Sequence, residues 1–145
     1  MPRTLTFEHR YPVDPDRLFA LVTDLDTLDA VTKPWVQFDH LPSGPVQAGQ
    51  VIDVAISVFG IFPRMPYRMR VVSCDPKTRC MTSDEDGFGV HRLVHSLQVH
   101  PDPLGSRLLD RIEIDAGWST PLVAAWAWVI YRWRHHVRLR LLQTG

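Results

Sequence analysis

The chain has no net charge, because its sixteen basic and sixteen acidic residues cancel. No overall field draws it toward nucleic acid or anionic lipid, and we expect no nucleic-acid partner. Cysteine is scarce too, with only Cys74 and Cys80 among 145 residues. They flank a predicted turn at Asp75–Arg79. The favoured interpretation is that both are free, buried thiols in a cytoplasmic protein, and a cross-strand disulfide is the alternative.

The sequence also lacks a hydrophobic run suited to a signal peptide or a membrane span. Met1–Arg10 has no apolar core, so we expect no secretory leader there and a cytoplasmic location. The longest apolar stretch, Gly117–Trp133, is interrupted by polar residues and Pro121 and runs into arginines. This favours a buried or half-buried helix. Without repeats, low-complexity segments or linkers, the chain is predicted to form one domain, residues 1–145.

Periodic patterns divide the chain into a strand, two short helices, about six further strands and a long helix. Thr4–Arg10 alternates like a half-buried strand. Asp14 followed by Pro15 predicts the start of a first short helix, and Asp24–Val31 is typical of a second. The later elements are predicted at Val36–His40, Gln50–Phe59, Pro66–Asp75, Thr78–Asp84, His91–Val99, Ser106–Asp115 and Trp118–Leu142.

Several segments in this order match a known family pattern. They are Pro15–Phe19 and Thr23–Asp26 on the short helices, Arg107–Ile112 on the last strand, and Tyr131–Arg134. Over nearly its whole length the chain resembles the START/Bet v 1-like (SRPBCC) superfamily, polyketide cyclase/dehydrase-like proteins included. The resemblance implies an α+β helix-grip fold, a curved antiparallel sheet of about six or seven strands around a long C-terminal helix. It also implies an apolar cavity that takes lipids, polyketides or similar molecules, although function varies on this fold.

The long helix is so apolar that it must pack against another part of the chain, and the strands are the candidate partner. Trp126 and Ile130 are expected over the cavity, with Trp128 and Tyr131 on the outer face. The arginines near the C-terminus are expected to form a solvated end that favours the helix dipole. The i, i+3/i+4 spacing predicts an inward stripe of Leu122, Val123, Trp126, Ile130, Trp133, Val137 and Leu141.

Alternation in the last two strands predicts a histidine–aspartate pair on the inner side of the sheet. The odd residues from 91 to 99 are the more apolar set, which points His91 and His95 inward. If Val99 pairs with Ser106 across the turn, His95 faces Asp110. A slip of one residue would break this pairing, because it moves one strand's side chains to the other face.

A buried carboxylate needs a partner, which the imidazole of His95 supplies to Asp110. Three roles are open for the pair: it satisfies only its own hydrogen bonds, it orients a ligand carbonyl or hydroxyl, or it works as an acid/base pair. His95 and Asp110 are therefore the catalytic candidates. No nucleophile stands at a recognisable spacing from either residue, so covalent catalysis has no support.

No metal ion and no cofactor are expected. His91 and His95 are four residues apart on one strand, which separates them by ~13 Å, too far to share one ion. His135 and His136 are adjacent on a helix and point in different directions. No cluster of cysteine and histidine has zinc spacing.

We therefore predict a non-enzymatic protein that binds or transports a small hydrophobic or aromatic ligand. The alternative is an enzyme of the polyketide cyclase/dehydratase type, in which His95 is the acid/base and Asp110 orients it. The ligand-binding residues are predicted to be Tyr67, Met69, Met81, His91, Leu93, His95, Asp110, Ile112, Val123, Trp126 and Ile130.

The apolar turn Phe59–Pro63 is a second unusual feature, since an exposed turn is ordinarily polar. Four interpretations of this turn are open: it guards the cavity mouth, docks on a membrane, packs on a second subunit, or folds back against Trp35 and the short helices. The docking interpretations give a weaker alternative function, that of a membrane- or partner-docking protein. Phe59, Phe62 and Trp128 are candidate contacts for a homodimer or a membrane surface.

Overall fold

The structure, a computed structural model, describes residues 2–33, 35–59, 61 and 63–144. It confirms the predicted α+β helix-grip fold, with seven strands in one curved sheet, two short helices and a long C-terminal helix. The elements in chain order are β1 (Arg3–Tyr11), α1 (Pro15–Val22), α2 (Leu25–Thr32), β2 (Val36–Asp39), β3 (Val51–Val58), β4 (Met65–Asp75), β5 (Cys80–Gly87), β6 (Val90–Asp102), β7 (Gly105–Asp115) and α3 (Thr120–Thr144).

The sheet is antiparallel throughout, in the order β1-β7-β6-β5-β4-β3-β2. The strands from β2 to β7 each pair with the next strand in the chain, which is the predicted meander. β1 joins the far side of β7, so β1 and β2 lie at opposite edges. The segment containing α1 and α2 therefore connects one edge of the sheet to the other.

The first short helix begins at the predicted cap, and the second begins one residue later than predicted, with Asp24 as its cap. The Asp14 carboxylate accepts a hydrogen bond from the backbone N–H of Arg17 (3.0 Å), and Pro15 occupies the first turn. The Asp24 carboxylate accepts from the backbone N–H of Asp26 (2.8 Å). These caps satisfy N–H groups that a helix leaves without intrahelical partners.

The long helix approaches the sheet through small residues. Ala124 and Ala127 are buried, and one turn further on the Tyr131 ring stacks on Phe7 of β1, with centroids 5.5 Å apart. Leu122 of the predicted inward stripe lines the cavity between the sheet and α3 but is 72% exposed. The predicted outer position of Tyr131 is wrong because that residue is buried. The sheet packs against the alanine face because small side chains let the two backbones come close.

The predicted solvated arginine end is also wrong in part. Arg132 is exposed, but Arg138 is only 4% exposed. The reason is that α3 contacts β1, β7 and α2, so the face of the helix that carries Arg138 remains under cover. Within the described part of the chain, no helix combines the length and the apolar character that a membrane crossing requires.

The two cysteines are free, as expected, but half-buried rather than buried. In the β4–β5 pairing Cys74 lies opposite Met81, and Cys80 lies opposite Asp75. The two thiols therefore belong to different cross-strand pairs.

Candidate functional site

A cavity of about 700 Å³ lies between the inner face of the sheet and α3, with α2 along one side. Its wall is mainly apolar, as predicted. The sheet contributes Val36, Ile52, Ile56, Val71 and Met81, α2 contributes Leu25, Leu28 and Val31, and α3 contributes Val123, Trp126 and Ile130. A curved sheet covered by a long helix leaves this space between them.

Most of the predicted ligand-binding residues lie on this wall, and three do not. The wall includes Tyr67, Met69, Met81, Leu93, His95, Val123, Trp126 and Ile130. Ile112 is fully buried beneath α3, and Asp110 is buried behind His95. Their predicted place on the cavity surface is wrong.

The predicted inward position of His91 is also wrong, since His91 is exposed and its ring lies beside Gly117. Its neighbour Val90 reaches the cavity wall instead. The pairing of β5 with β6 is irregular between Glu85 and Gly87, next to the turn that leads into Val90. Such an irregularity breaks the strict alternation on which the prediction depended.

The predicted His95–Asp110 pair is present. His95 Nε2 and Asp110 Oδ1 are 2.7 Å apart, His95 is buried, and Asp110 is only 1% exposed. Burial by itself would raise the pKa of the Asp110 carboxyl. The hydrogen bond and attraction of His95 outweigh burial, together with the charges of Arg138 and Arg134, so the pKa lies below its ordinary value.

The register that led to this prediction is wrong by two residues. Val99 pairs with Leu108 rather than Ser106, because β6 and β7 continue to an Asp102–Gly105 pair and a two-residue turn. A shift of two residues leaves every side chain on its own face. Asp110 therefore remains on the inner side, and His95 reaches it diagonally across the pair of strands.

The cavity wall also contains polar residues that the sequence analysis missed. The Tyr67 hydroxyl donates to Glu85 Oε1 (2.8 Å), and the Ser83 hydroxyl donates to Glu85 Oε2 (2.7 Å). Burial is the main cause that raises the pKa of Tyr67 well above its ordinary value, and the nearby Glu85 is the second. This hydroxyl therefore remains a donor. Alternation along β5 was the available signal, since Met81, Ser83 and Glu85 share one face.

A second polar group comes from α3. The Tyr131 ring meets the His95 ring edge-on at 5.3 Å, and the Arg134 guanidinium lies 4.4 Å above the Tyr131 ring. Burial raises the pKa of Tyr131 to about 12. Arg134 and Arg138 both line the cavity. We call Tyr67, Ser83, Glu85, His95, Tyr131, Arg134 and Arg138 the polar cluster.

Trp126 lines the cavity and packs against aromatic side chains of the neighbouring segments. It contacts Trp35 at 5.5 Å and Phe59 at 5.3 Å between ring centroids. The indole Nε1 of Trp133 donates to the Lys33 carbonyl oxygen (2.9 Å). These contacts connect α3 to the end of α2 and to the residues that flank β2 and β3.

The predicted docking residues have different surroundings. Phe59 folds back against Trp35, one of the interpretations of its turn, although part of its ring stays exposed. Phe62 lies outside the described residues. Trp128 is exposed, and the Arg132 guanidinium lies 4.7 Å above its ring. A homodimer or membrane contact through these residues stays a prediction.

Two stacked histidines lie where α3 crosses β1. The rings of His9 and His135 are 4.2 Å apart and nearly parallel. Burial, with neighbouring positive charge, lowers the pKa of both, that of His135 to about 4. The folded state therefore resists protonation of this pair.

Acid is expected to destabilise the protein through His135. Unfolded chains take up the proton near pH 6.5, whereas the folded chain does so near pH 4, so stability is present above pH 6.5 and is lost as the pH falls between these values. We expect a loss of about 1 kcal/mol after allowance for solvent screening. Urea unfolding at pH 7.5 and pH 5 measures it.

The matched comparison replaces two histidines separately. His135→Gln should reduce the loss of stability between pH 7.5 and pH 5. His100→Gln, which removes an exposed hydrogen bond to Gln98, should leave that loss unchanged. An equal pH response in wild type and His135→Gln would contradict the assignment.

No three histidine, cysteine, aspartate or glutamate side chains group as a metal site among residues 2–33, 35–59, 61 and 63–144. His95 and Asp110 are paired with each other, as described above. The His135 ring is stacked on that of His9, and the positive charges near it, among them Arg138 and Arg132, disfavour a bound cation.

Comparison with known proteins supports the fold alone. No family model and no curated protein match this sequence. Among solved structures, a protein from Rhodobacter sphaeroides superposes with a TM-score of 0.77 at 17% identity, over 97% of this chain and 93% of the other. Ara h 8.0201 gives 0.65 at 14% identity over 94% and 98%. Major latex-like protein 151 of Panax ginseng gives 0.61 at 15% identity over 93% and 96%.

These likenesses extend over nearly the full length of each chain. The protein therefore has the helix-grip fold that the sequence resemblance implied. Identities of this size carry no residue roles from one protein to another.

Proposed function

We propose that this protein binds a small, mainly apolar molecule in the cavity between the sheet and α3 and releases it chemically unchanged. The observation that carries the proposal is the cavity itself. Its volume of about 700 Å³ falls within the range of roughly 300–1,000 Å³ in which proteins hold small ligands. Its wall combines many apolar side chains with a few polar groups in one cluster, which is the usual composition of such sites.

Filling the cavity should weaken binding. Val71 lies on the wall, so Val71→Phe directs a ring into the space a ligand would occupy. We expect affinity for 1-dodecanol to fall roughly tenfold or more. Tryptophan fluorescence reports the titration, because Trp126 lines the same cavity. Native mass spectrometry of the gently purified wild-type protein is the companion measurement.

The next residue on β4 provides the control. Val72 is 64% exposed, so Val72→Phe adds the same ring outside the cavity. It should bind 1-dodecanol like wild type. Circular dichroism and thermal unfolding establish that both variants fold. Equal binding by the two variants would place the ligand elsewhere, and no binding by wild type would reject the proposal.

A cyclase/dehydratase-type enzyme is the second candidate, favoured by the position of His95 on the wall with Asp110 behind it. A carboxylate behind a histidine orients the imidazole and stabilises its protonated form, which favours work as a general base. If a linear polyketide probe is recovered cyclised or dehydrated by wild type and unchanged by His95→Gln, the enzyme is favoured. Recovery of the unchanged probe from both favours the carrier.

A further inference from the structure

We propose that the ligand carries an anionic group, such as a carboxylate, and that Arg138 and Arg134 bind it at the polar cluster. This inference rests on the proposed function and adds the chemical class of the ligand. It predicts an apolar body along the aromatic and aliphatic wall and an acidic head at α3.

Arg138 is the principal observation. Its side chain lines the cavity, is only 4% exposed, and its Nε and Nη1 atoms are buried without a hydrogen-bond partner in the protein. An arginine guanidinium carries a positive charge and five N–H donors. Buried donors without acceptors are strongly unfavourable. The site therefore lacks acceptors for the Nε and Nη1 groups of Arg138, and a ligand group in the cavity can supply them.

Arg134 directs a second positive charge to the same region. It stands one turn before Arg138, so the two side chains share a face of α3. Its guanidinium is held above the Tyr131 ring, and its Nε is likewise buried without a protein partner. No carboxylate of the described residues forms an ion pair with either arginine.

The nearby acids are already engaged. Asp110 Oδ1 is bonded to His95, and the arginines act on Asp110 only at longer range. Both Glu85 oxygens accept hydroxyl donors, one from Tyr67 and one from Ser83. Neither acid supplies the contact that Arg138 lacks.

A charged head fits this site better than a neutral one. A neutral carbonyl or hydroxyl would accept hydrogen bonds from the guanidinium groups, but those bonds would lack the attraction between opposite charges. A carboxylate supplies both, and the planar guanidinium matches two carboxylate oxygens at once. The exclusion of water by the apolar wall strengthens the attraction.

The test compares three probes that differ only in the head group. Dodecanoate, methyl dodecanoate and 1-dodecanol are titrated calorimetrically into the full-length protein at pH 8. We expect dodecanoate to bind roughly 10- to 100-fold more tightly than either neutral probe. The methyl ester separates the effect of charge from that of a carbonyl acceptor.

Arginine variants then locate the preference. Arg138→Gln should bring the three affinities within roughly threefold of each other, and Arg134→Gln should reduce the preference in part. Arg132→Gln removes an exposed arginine of the same helix and should keep the full preference. The wild-type comparison and Arg134→Gln remain decisive if Arg138→Gln fails to fold.

The outcomes separate the two proposals. Equal binding of all three probes by wild type overturns the anionic head while leaving the apolar cavity proposal intact. A preference for dodecanoate that survives in both Arg138→Gln and Arg134→Gln overturns the assigned site. Failure of every probe to bind contradicts the proposed function itself.

Discussion

Replacement of Asp110 by Asn is expected to destabilise the folded protein by about 3 kcal/mol at pH 7. The carboxylate is buried and bonded to His95 at 2.7 Å, and the charges of Arg138 and Arg134 act on it as well. Removal of its charge leaves buried positive groups without their nearest negative neighbour. Urea unfolding monitored by circular dichroism measures the change in the free energy of unfolding.

The pH dependence of this difference has a defined sign. The folded state holds the pKa of Asp110 below its ordinary value of 3.8, so its contribution is present above that pH. It is lost as the pH falls through the lower folded value. The gap in stability between wild type and Asp110→Asn should therefore be constant near neutrality and shrink below about pH 4.

Glu113 provides the control on the same strand. It is exposed and pairs with Arg111 on the surface (2.9 Å), so Glu113→Gln should change stability by less than about 0.5 kcal/mol. A double variant, His95→Leu with Asp110→Leu, should be more stable than the sum of the single changes predicts. If Asp110→Asn costs no more than Glu113→Gln, the buried pair does not stabilise the fold.

Substitution of Gly105 by Ala is expected to cost ~3 kcal/mol or more. Gly105 has φ +145°, and a Cβ there would lie 2.7 Å from the Tyr11 carbonyl oxygen and from Val13 N and O. These are backbone atoms that cannot move aside. The residue pairs with Asp102 to close the β6–β7 turn, which sets the register that places Asp110 near His95.

Gly89 separates this clash from the cost of a positive φ. It has φ +80°, but a Cβ there meets nothing within 4 Å, so Gly89→Ala should cost only ~1 kcal/mol. Thermal and urea unfolding of the two variants give the comparison. Similar losses for both would mean that the close approach at Gly105 is relieved in solution.

Local patterns were sufficient for the elements and their faces. The cap at Asp14 depends on neighbouring backbone N–H groups, so it can be predicted from a few residues. The inward direction of His95 and Asp110 depends only on alternation, which is why it survived an error of two residues in register. The order of elements, together with the family resemblance, implied the helix-grip fold.

The face of α3 was ambiguous in the sequence, because large apolar residues stand on several sides of it. The sheet selected Ala124, Ala127 and Tyr131, since contact with a sheet rewards close backbone approach as well as hydrophobicity. From spacing alone, the tryptophans and Leu122 were predicted to face the sheet in place of the alanines. The same choice of face placed Tyr131 on the outer side of α3.

Local periodicity and neighbouring residues were enough to predict most strands, the cap at Asp14, the apolar character of the cavity and the inward direction of His95 and Asp110. The three-dimensional packing was needed to show that His91 lies outside, that Glu85 points inward, and that Nε and Nη1 of Arg138 are buried without acceptors. Burial of an arginine depends on segments that are distant in sequence and pack around it. The sequence pattern of α3 alone therefore could not reveal it.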